Sequence, residues 1–176
     1  YKMKAVTLES EKLIFEPLSL KHLSIVYVNW LNNFMVNKYL ELEGGYTLEK
    51  LETFLKEQEQ KDILFWAIII KASKKHIGNI KIDPIDIENN SGEYGIMMGD
   101  TDEWGKGYGK EASITVIDYC FKKLDLSKIT LGVLEQNIAA LKLYKKIGFK
   151  QESIAHNYGV YDGEMCNSIR MIKHND

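Results

Sequence analysis

No apolar run in this sequence is long enough to cross a bilayer. The longest, such as Ile63 to Ile70, stop well short of the ~20 residues that a spanning helix needs. No secretory leader is evident either, so a cytoplasmic protein is the expectation. Cysteine is scarce. Cys120 and Cys166 lie far apart and lack metal-ligand spacing, so both are expected to be small core residues. A disulfide framework is therefore excluded and no metal is expected. An excess of charge of either sign is also missing. The formal net charge is −2, which gives no general attraction to nucleic acid or to an anionic membrane. Internal repeats, low-complexity tracts and linkers are absent. What is present is ordinary for one soluble globular domain with one core: 176 residues, 45% hydrophobic and 27% charged.

Taken in order, Leu13 to Leu18 reads as a first strand closed by Pro17. Ser19 can cap a helix whose inner face is Leu23, Tyr27, Trp30 and Leu31, and Asn32-Asn33 ends it. A short helical piece follows over Val36 to Leu40, then a loop from Glu41 to Tyr46. Thr47 caps a second helix with Leu48, Leu51, Phe54 and Leu55 inward. Leu64 to Lys71 and His76 to Ile82 alternate as a hairpin. Pro84 demands a bend or bulge before Ile85 to Ile87. After a turn at Asn89 to Gly92, the stretch Glu93 to Met98 reads as a buried strand. A helix over 107–124, a strand from Lys128 to Val133, a helix over 138–146 and a strand from Phe149 to about Tyr158 come next. Asp162-Gly163 is a hairpin signal, and Glu164 to Lys173 returns as the last strand. The order β-α-α-β-β-β-α-β-α-β-β predicts a mixed α/β (α+β) domain over residues 1–176. His22, His76 and His174 read as exposed, without a role.

The stretch from Gly92 to Ala112 organises the rest. A strand runs into a polar loop, then into Gly105, Gly107 and Gly109, then into a helix with Ile114, Ile117, Phe121 and Leu124 on one stripe and Ala112, Val116 and Cys120 on the adjoining one. Backbone N–H groups at a helix start have no partner within the helix and carry the positive end of its dipole. Glycine lets that backbone approach a phosphate oxygen closely, and Lys106 and Lys110 add charge, so the stretch predicts an anion site. It is not a P-loop, because Gly107 follows Lys106 where Lys-Ser or Lys-Thr is required. Nor is it a dinucleotide fingerprint, because the third glycine comes one residue early.

Trp104-Gly-Lys-Gly-Tyr-Gly-Lys-Glu-Ala112 resembles the acetyl-CoA pyrophosphate loop of the GNAT N-acetyltransferase superfamily. Asn137 to Phe149 resembles that family's second cofactor motif, in the same order and at a similar separation. The likeness runs from about Leu13 to Ile172. It is nearest to the branch of ribosomal-protein N-terminal and amino-sugar acetyltransferases, although Gln or Arg is frequent in the family where this chain has Trp104. The resemblance implies a single, mostly antiparallel sheet flanked by helices, with splayed central strands, and it implies acetyl-CoA as cofactor.

It also implies site residues. Trp104, Gly105, Lys106, Gly107, Tyr108, Gly109 and Lys110 would hold the pyrophosphate. The backbone of Met97 and Met98 would pair with the pantetheine arm and polarise the thioester carbonyl. Asn137 would contact the cofactor, and it also suits a helix N-cap. Tyr144 would protonate the leaving thiolate, because phenol and thiol acidities nearly match. Glu93 would be the general base, with Glu41, Glu43, Asp83, Asp86 and His156 as alternatives. Direct attack by the amine in a ternary complex is expected, since neither cysteine sits in an activating motif. A non-catalytic acyl-CoA-binding module on the same fold is the rival reading.

The acceptor is expected to be a small polar amine, foremost the amino group of a nucleotide-linked sugar. Asn32, Asn33, Lys38 and Tyr39 are the expected acceptor contacts, since amides and phenols suit hydroxyl groups and a lysine suits phosphate. Polyamines and protein N-termini remain alternatives. Partners are limited to small molecules, without nucleic acid or membrane, and the oligomeric state is left open, with a homodimer as one option.

Overall fold

The computed structural model describes residues 3–40 and 44–176. Its strands are β1 (Leu8–Glu9), β2 (Leu13–Pro17), β3 (Leu64–Ile70), β4 (His76–Asp86), β5 (Ser91–Met98), β6 (Lys128–Leu134), β7 (Lys150–Tyr161) and β8 (Glu164–His174). They form one sheet in the order β1-β2-β3-β4-β5-β6-β8-β7. Every pairing is antiparallel except β5 with β6. The helices are α1 (Ile25–Asn32), α2 (Phe34–Asn37), α3 (Leu48–Glu59), α4 (Tyr108–Lys122) and α5 (Ile138–Lys146).

β3 fixes the layering. Its seven residues are almost all apolar, as a strand covered on both faces requires. Trp66, Ile68 and Ile70 join the core under α4 and α5, with Val116, Ile117, Cys120 and Tyr144. Ala67 and Ile69 point the other way, into a second cluster with Tyr27, Trp30 and Leu31 of α1 and Leu51 and Leu55 of α3. The parallel pair β5–β6 cannot be closed by a hairpin, so a crossover must connect it, and α4 is that crossover. The Asp162-Gly163 turn has positive φ at both residues, as a two-residue hairpin loop of the favoured hand requires.

The mostly antiparallel single sheet flanked by helices is as expected, and four local readings are corrected. Ser19 caps only a single 3-10 turn, Leu20–His22, and the helix proper starts afresh at Ser24, whose hydroxyl accepts from Tyr27 N–H at 3.1 Å. Two serine caps in six residues divide what the apolar spacing joined. The piece read over Val36 to Leu40 starts earlier, because Asn33 both ends α1 and caps α2. On α4, Ala112, Val116, Ile117, Cys120 and Phe121 are buried as read, but Ser113 joins them and Ile114 leaves the stripe, at 40% exposed. His22 is buried and His76 half-buried, packed against Tyr27 and Trp30, contrary to the exposed reading. The Pro84 bulge is where expected, as a register shift between Ile82 and Ile85. Glu41 and Glu43 lie outside the described residues.

The revised stripe on α4 is testable by urea denaturation. Ile117→Ala should cost about 2–5 kcal/mol, as for other buried large-to-small changes, and Ile114→Ala less than about 1 kcal/mol. Equal losses would return Ile114 to the core.

Candidate active site

The β5–β6 ladder pairs only Ser91 with Lys128, Gly92 with Ile129 and Glu93 with Thr130 among the described residues. Beyond that rung the strands part, and Ile96 to Met98 keep partners only on the β4 side. This is the free strand edge that a pantetheine arm would pair with. The two methionines project to opposite faces. Met97 packs with the α1–α3 cluster and Met98 with the α4 cluster.

The chain leaves β5 through a 3-10 turn, Thr101–Glu103, capped by the Asp100 side chain. Gly105 and Gly107 then take φ of +77° and +84°, a left-handed conformation that a side chain would strain. Gly107 is the N-cap of α4, makes no side-chain cap, and faces open space. No side chain of the cap residue occupies the first N–H groups of α4, as an anion site there requires. Trp104 donates its indole N–H to Met98 O at 2.9 Å, which ties the loop to the strand end. Lys106 lies 2.9 Å from Glu103, and Lys75 bridges Glu103 at 3.4 Å and Asp100 at 2.8 Å. The charge of Lys106 is thus already engaged, while Lys110 has no ion-pair partner among the described residues.

A cavity of about 830 Å³ is lined from both clusters, by Tyr27, Leu31 and Met97 on the α1–α3 side and by Tyr94, Ile96 and Tyr144 on the α4–α5 side, and Glu93, Asn137 and Tyr39 line it as well. Asn137 caps α5, accepting from Ala140 N–H at 3.3 Å. Tyr144 is 7% exposed, its ring edge-on to Tyr94 at 5.5 Å. Burial pushes the Tyr144 phenol up and the Tyr94 hydroxyl offsets part of that, so the group stays protonated through the neutral range. Tyr94 in turn hydrogen-bonds Ser113 at 2.7 Å.

Glu93 sits at the last paired rung. Arg170 of β8 grips its two oxygens at 2.7 Å each, and the Thr130 hydroxyl donates to one of them at 2.6 Å. Burial alone would raise this carboxyl. The hydrogen bonds from Arg170 and Thr130 outweigh it, and the net effect is a lowered pKa. Arg170 reaches Glu93 across Gly132, where a Cβ would stand 3.0 Å from its guanidinium. Lys81 lies in the same way over Gly95, at 3.2 Å from where a Cβ would be.

Asn32 and Asn33 are removed from the acceptor contacts. The Asn32 amide bonds Tyr46 O and N at 2.9 Å each, and Asn33 accepts from Met35 N–H at 2.9 Å. Both bond backbone and neither lines the cavity. Lys38 is also absent from the lining and lies 5.0 Å above the Tyr39 ring. Of the alternative bases, Asp83 lines the cavity. Asp86 instead caps a turn through Asn89, and His156 is exposed away from it. The residues that sequence reasoning missed are Asn79, Lys81 and Arg170. Arg170 carried one signal, as the only arginine among 23 basic residues.

A family model described as an acetyltransferase (GNAT) domain matches residues 12–150. The chain belongs to the GNAT acetyltransferases. Among relatives, an uncharacterized N-acetyltransferase p20 of Bacillus licheniformis is 27% identical over 167 residues, covering 92% of each chain. A spermidine N(1)-acetyltransferase of Vibrio cholerae is 27% identical over 121 residues, 69% of each. A solved Vibrio cholerae spermidine N-acetyltransferase, in complex with CoA and spermine, superposes with TM-score 0.83 at 23% identity, covering 94% of this chain and 97% of that one. The protein is an N-acetyltransferase of the GNAT fold, and the glycine turn, bare helix start and open strand edge fit acetyl-CoA. Among the described residues no cluster of His, Cys, Asp or Glu could hold a metal ion, and no helix is long and apolar enough to cross a membrane.

Trp104→Phe removes the indole N–H that anchors the loop and keeps the ring. Acetyl-CoA affinity measured by calorimetry should fall roughly tenfold, the scale of one lost hydrogen bond, with the melting temperature little changed. Unchanged affinity would mean that the loop holds its shape without this bond.

Proposed function

We propose that the acceptor is a small, oxygen-rich amine bearing anionic groups, foremost the amino group of a nucleotide-linked sugar. The observation that carries this reading is the charge of the cavity lining. Among the described residues, Lys50, Lys61, Lys81 and Arg170 face it, against Asp83 and Glu93. With Glu93 neutralised by Arg170, the surplus is cationic and suits phosphate or carboxylate. A polyamine is the second reading. It is favoured by the spermidine-acetylating relative from Vibrio cholerae and by Asp83 in the lining.

In this proposal the amino group attacks directly. Cys120 cannot serve as a covalent carrier, because burial pushes its thiol up to about 12. Acetyl-CoA, when bound, supplies an acetyl group already activated as a thioester. The α4 start, with Gly105, Gly107 and Gly109, would hold its pyrophosphate, and the Met97–Met98 backbone would hold its arm. Trp104 fixes the loop, while Tyr108, Lys106 and Lys110 would add donors and charge for the phosphates. Asn137 fixes the start of α5, and with it the direction of Tyr144. Tyr144 keeps a proton at its hydroxyl, available to the thiolate. Glu93 orients the amine through its carboxylate oxygens rather than taking up a proton, because a carboxyl with lowered pKa is a poor proton acceptor, and the proton that the amine loses passes to water. Tyr39 contributes a phenol to the acceptor end of the cavity.

The acceptor assignment is tested by competition at matched concentrations of a uridine-diphosphate-linked amino sugar, spermidine and an N-terminal peptide. The sugar nucleotide should show the highest kcat/KM. Preference for spermidine, or equal use of the free amino sugar, would sink the assignment.

The role of Glu93 has its own signature. A group with a lowered pKa is ionised throughout the range above the ordinary carboxylate values. Glu93→Gln should therefore reduce turnover by roughly a hundredfold, the scale of misplaced reactants, and by the same factor from pH 7 to 9. A loss that shrinks as pH rises would make Glu93 the proton acceptor instead.

A further inference from the structure

We infer that Asn79 recognises the acceptor: its side-chain N–H bonds an oxygen of the amine substrate, and His76 holds it in the donating orientation. This inference rests on the reading that the cavity takes an oxygen-rich amine.

Asn79 lies on β4, paired across the ladder with Met97, and lines the cavity while only 3% exposed. Its orientation follows from its neighbour. His76 Nε2 lies 3.0 Å from Gly78 O and 2.8 Å from Asn79 Oδ1. A backbone carbonyl can only accept, so Nε2 must carry the proton. The Asn79 atom facing that proton must then be oxygen, since the reverse amide would set N–H against N–H. The ring has little freedom to change this. Trp30 packs edge-on to it at 4.8 Å, Tyr27 at 5.6 Å, and the His22 ring lies at 5.3 Å.

The amide nitrogen is consequently turned away from His76, and it has no hydrogen-bond partner among the described residues. The Tyr27 hydroxyl is near enough to interact with the Asn79 side chain but does not meet hydrogen-bond geometry at Nδ2. A buried donor left without an acceptor is costly, and native proteins rarely leave one so. Asn79 is part of the lining of the substrate cavity, and its nitrogen lies just behind that wall, covered from solvent in the free protein. A sugar hydroxyl, a carbonyl or a carboxylate oxygen can accept from it. A protonated polyamine cannot, because ammonium groups carry donors only. Asn79 thus selects for oxygen near the amino group, independently of the lysines that select for anions.

The test is the acceptor preference of variants, with a uridine-diphosphate-linked amino sugar and spermidine as probes. Asn79→Ala removes the donor and leaves His76 Nε2–H satisfied by Gly78 O. The ratio of kcat/KM for the sugar nucleotide over spermidine should fall roughly tenfold, chiefly through KM of the sugar nucleotide. Asn79→Asp should lower the ratio further, since a carboxylate repels phosphate and attracts ammonium. His76→Phe frees the amide to turn and should lower the ratio by a smaller factor. It also serves if an Asn79 variant fails to fold. Calorimetry with acetyl-CoA should give an unchanged Kd throughout. A ratio that stays constant in all three variants overturns the inference, as does a ratio that moves only together with acetyl-CoA affinity. The two assignments fail separately. If wild type uses the free amino sugar as well as its nucleotide form, the nucleotide assignment falls, and a selective rise in KM for the free sugar in Asn79→Ala still upholds Asn79. If spermidine is the preferred acceptor and Asn79→Ala leaves that preference unaltered, both fall.

Discussion

The site depends on one rung of the sheet, the pairing of Glu93 with Thr130. It is the last register position at which β5 and β6 meet. Parallel strands require a crossover, and the crossover supplied here is a helix of 15 residues whose start lies just beyond the end of β5. One topological choice therefore sets an open strand edge beside a bare helix N-terminus. The fork between the strands is braced by side chains, because Arg170, Glu93 and Thr130 join β8, β5 and β6 at that level. Arginine suits this position better than lysine, since only a planar fork meets both carboxylate oxygens at once.

Electrostatics at the cofactor loop are arranged before any ligand arrives. Asp100 and Glu103 hold Lys75 and Lys106 close to the turn, and Trp104 fastens the turn to β5. A loop with two left-handed glycines would otherwise sample many shapes. Ordering it in the free protein lowers the entropy that binding must overcome. The contacts are mostly exposed, and their individual worth is modest in water. Their combined effect is geometric, keeping the first N–H groups of α4 facing outward.

The parts of the site legible from sequence were those carried by short-range patterns. The glycine turn, the apolar period of α4, the Asn137 cap and the Asp162-Gly163 hairpin all express rules that span a few residues. Helix limits shifted by a residue or two where caps competed, as at Ser19 and Ser24. Glu93 and Arg170 are 77 positions apart, and no local pattern pairs them. Asn79 was hidden for a different reason. Its significance comes from a neighbouring ring and a carbonyl that decide which way its amide faces. Asn32 and Asn33 illustrate the converse error. Asparagine is as well suited to binding backbone as to binding a ligand, and both took the backbone.

The cavity floor is made of long cationic stems laid across bare strand, Arg170 over Gly132 and Lys81 over Gly95. These two halves differ in stiffness. Arg170 is clamped by Glu93, whereas Lys81 has no ion-pair partner among the described residues and rests 5.8 Å above the Phe65 ring. Swinging Lys81 off Gly95 deepens that half of the pocket at the cost of a rotamer change, about 1 kcal/mol, without moving a strand. On the proposed reading of the site, the pocket is therefore stiff where the reacting amine would be aimed and adjustable where the body of the acceptor would rest. Acceptors of different bulk would then be accommodated by one side chain while the end at Glu93 keeps its geometry.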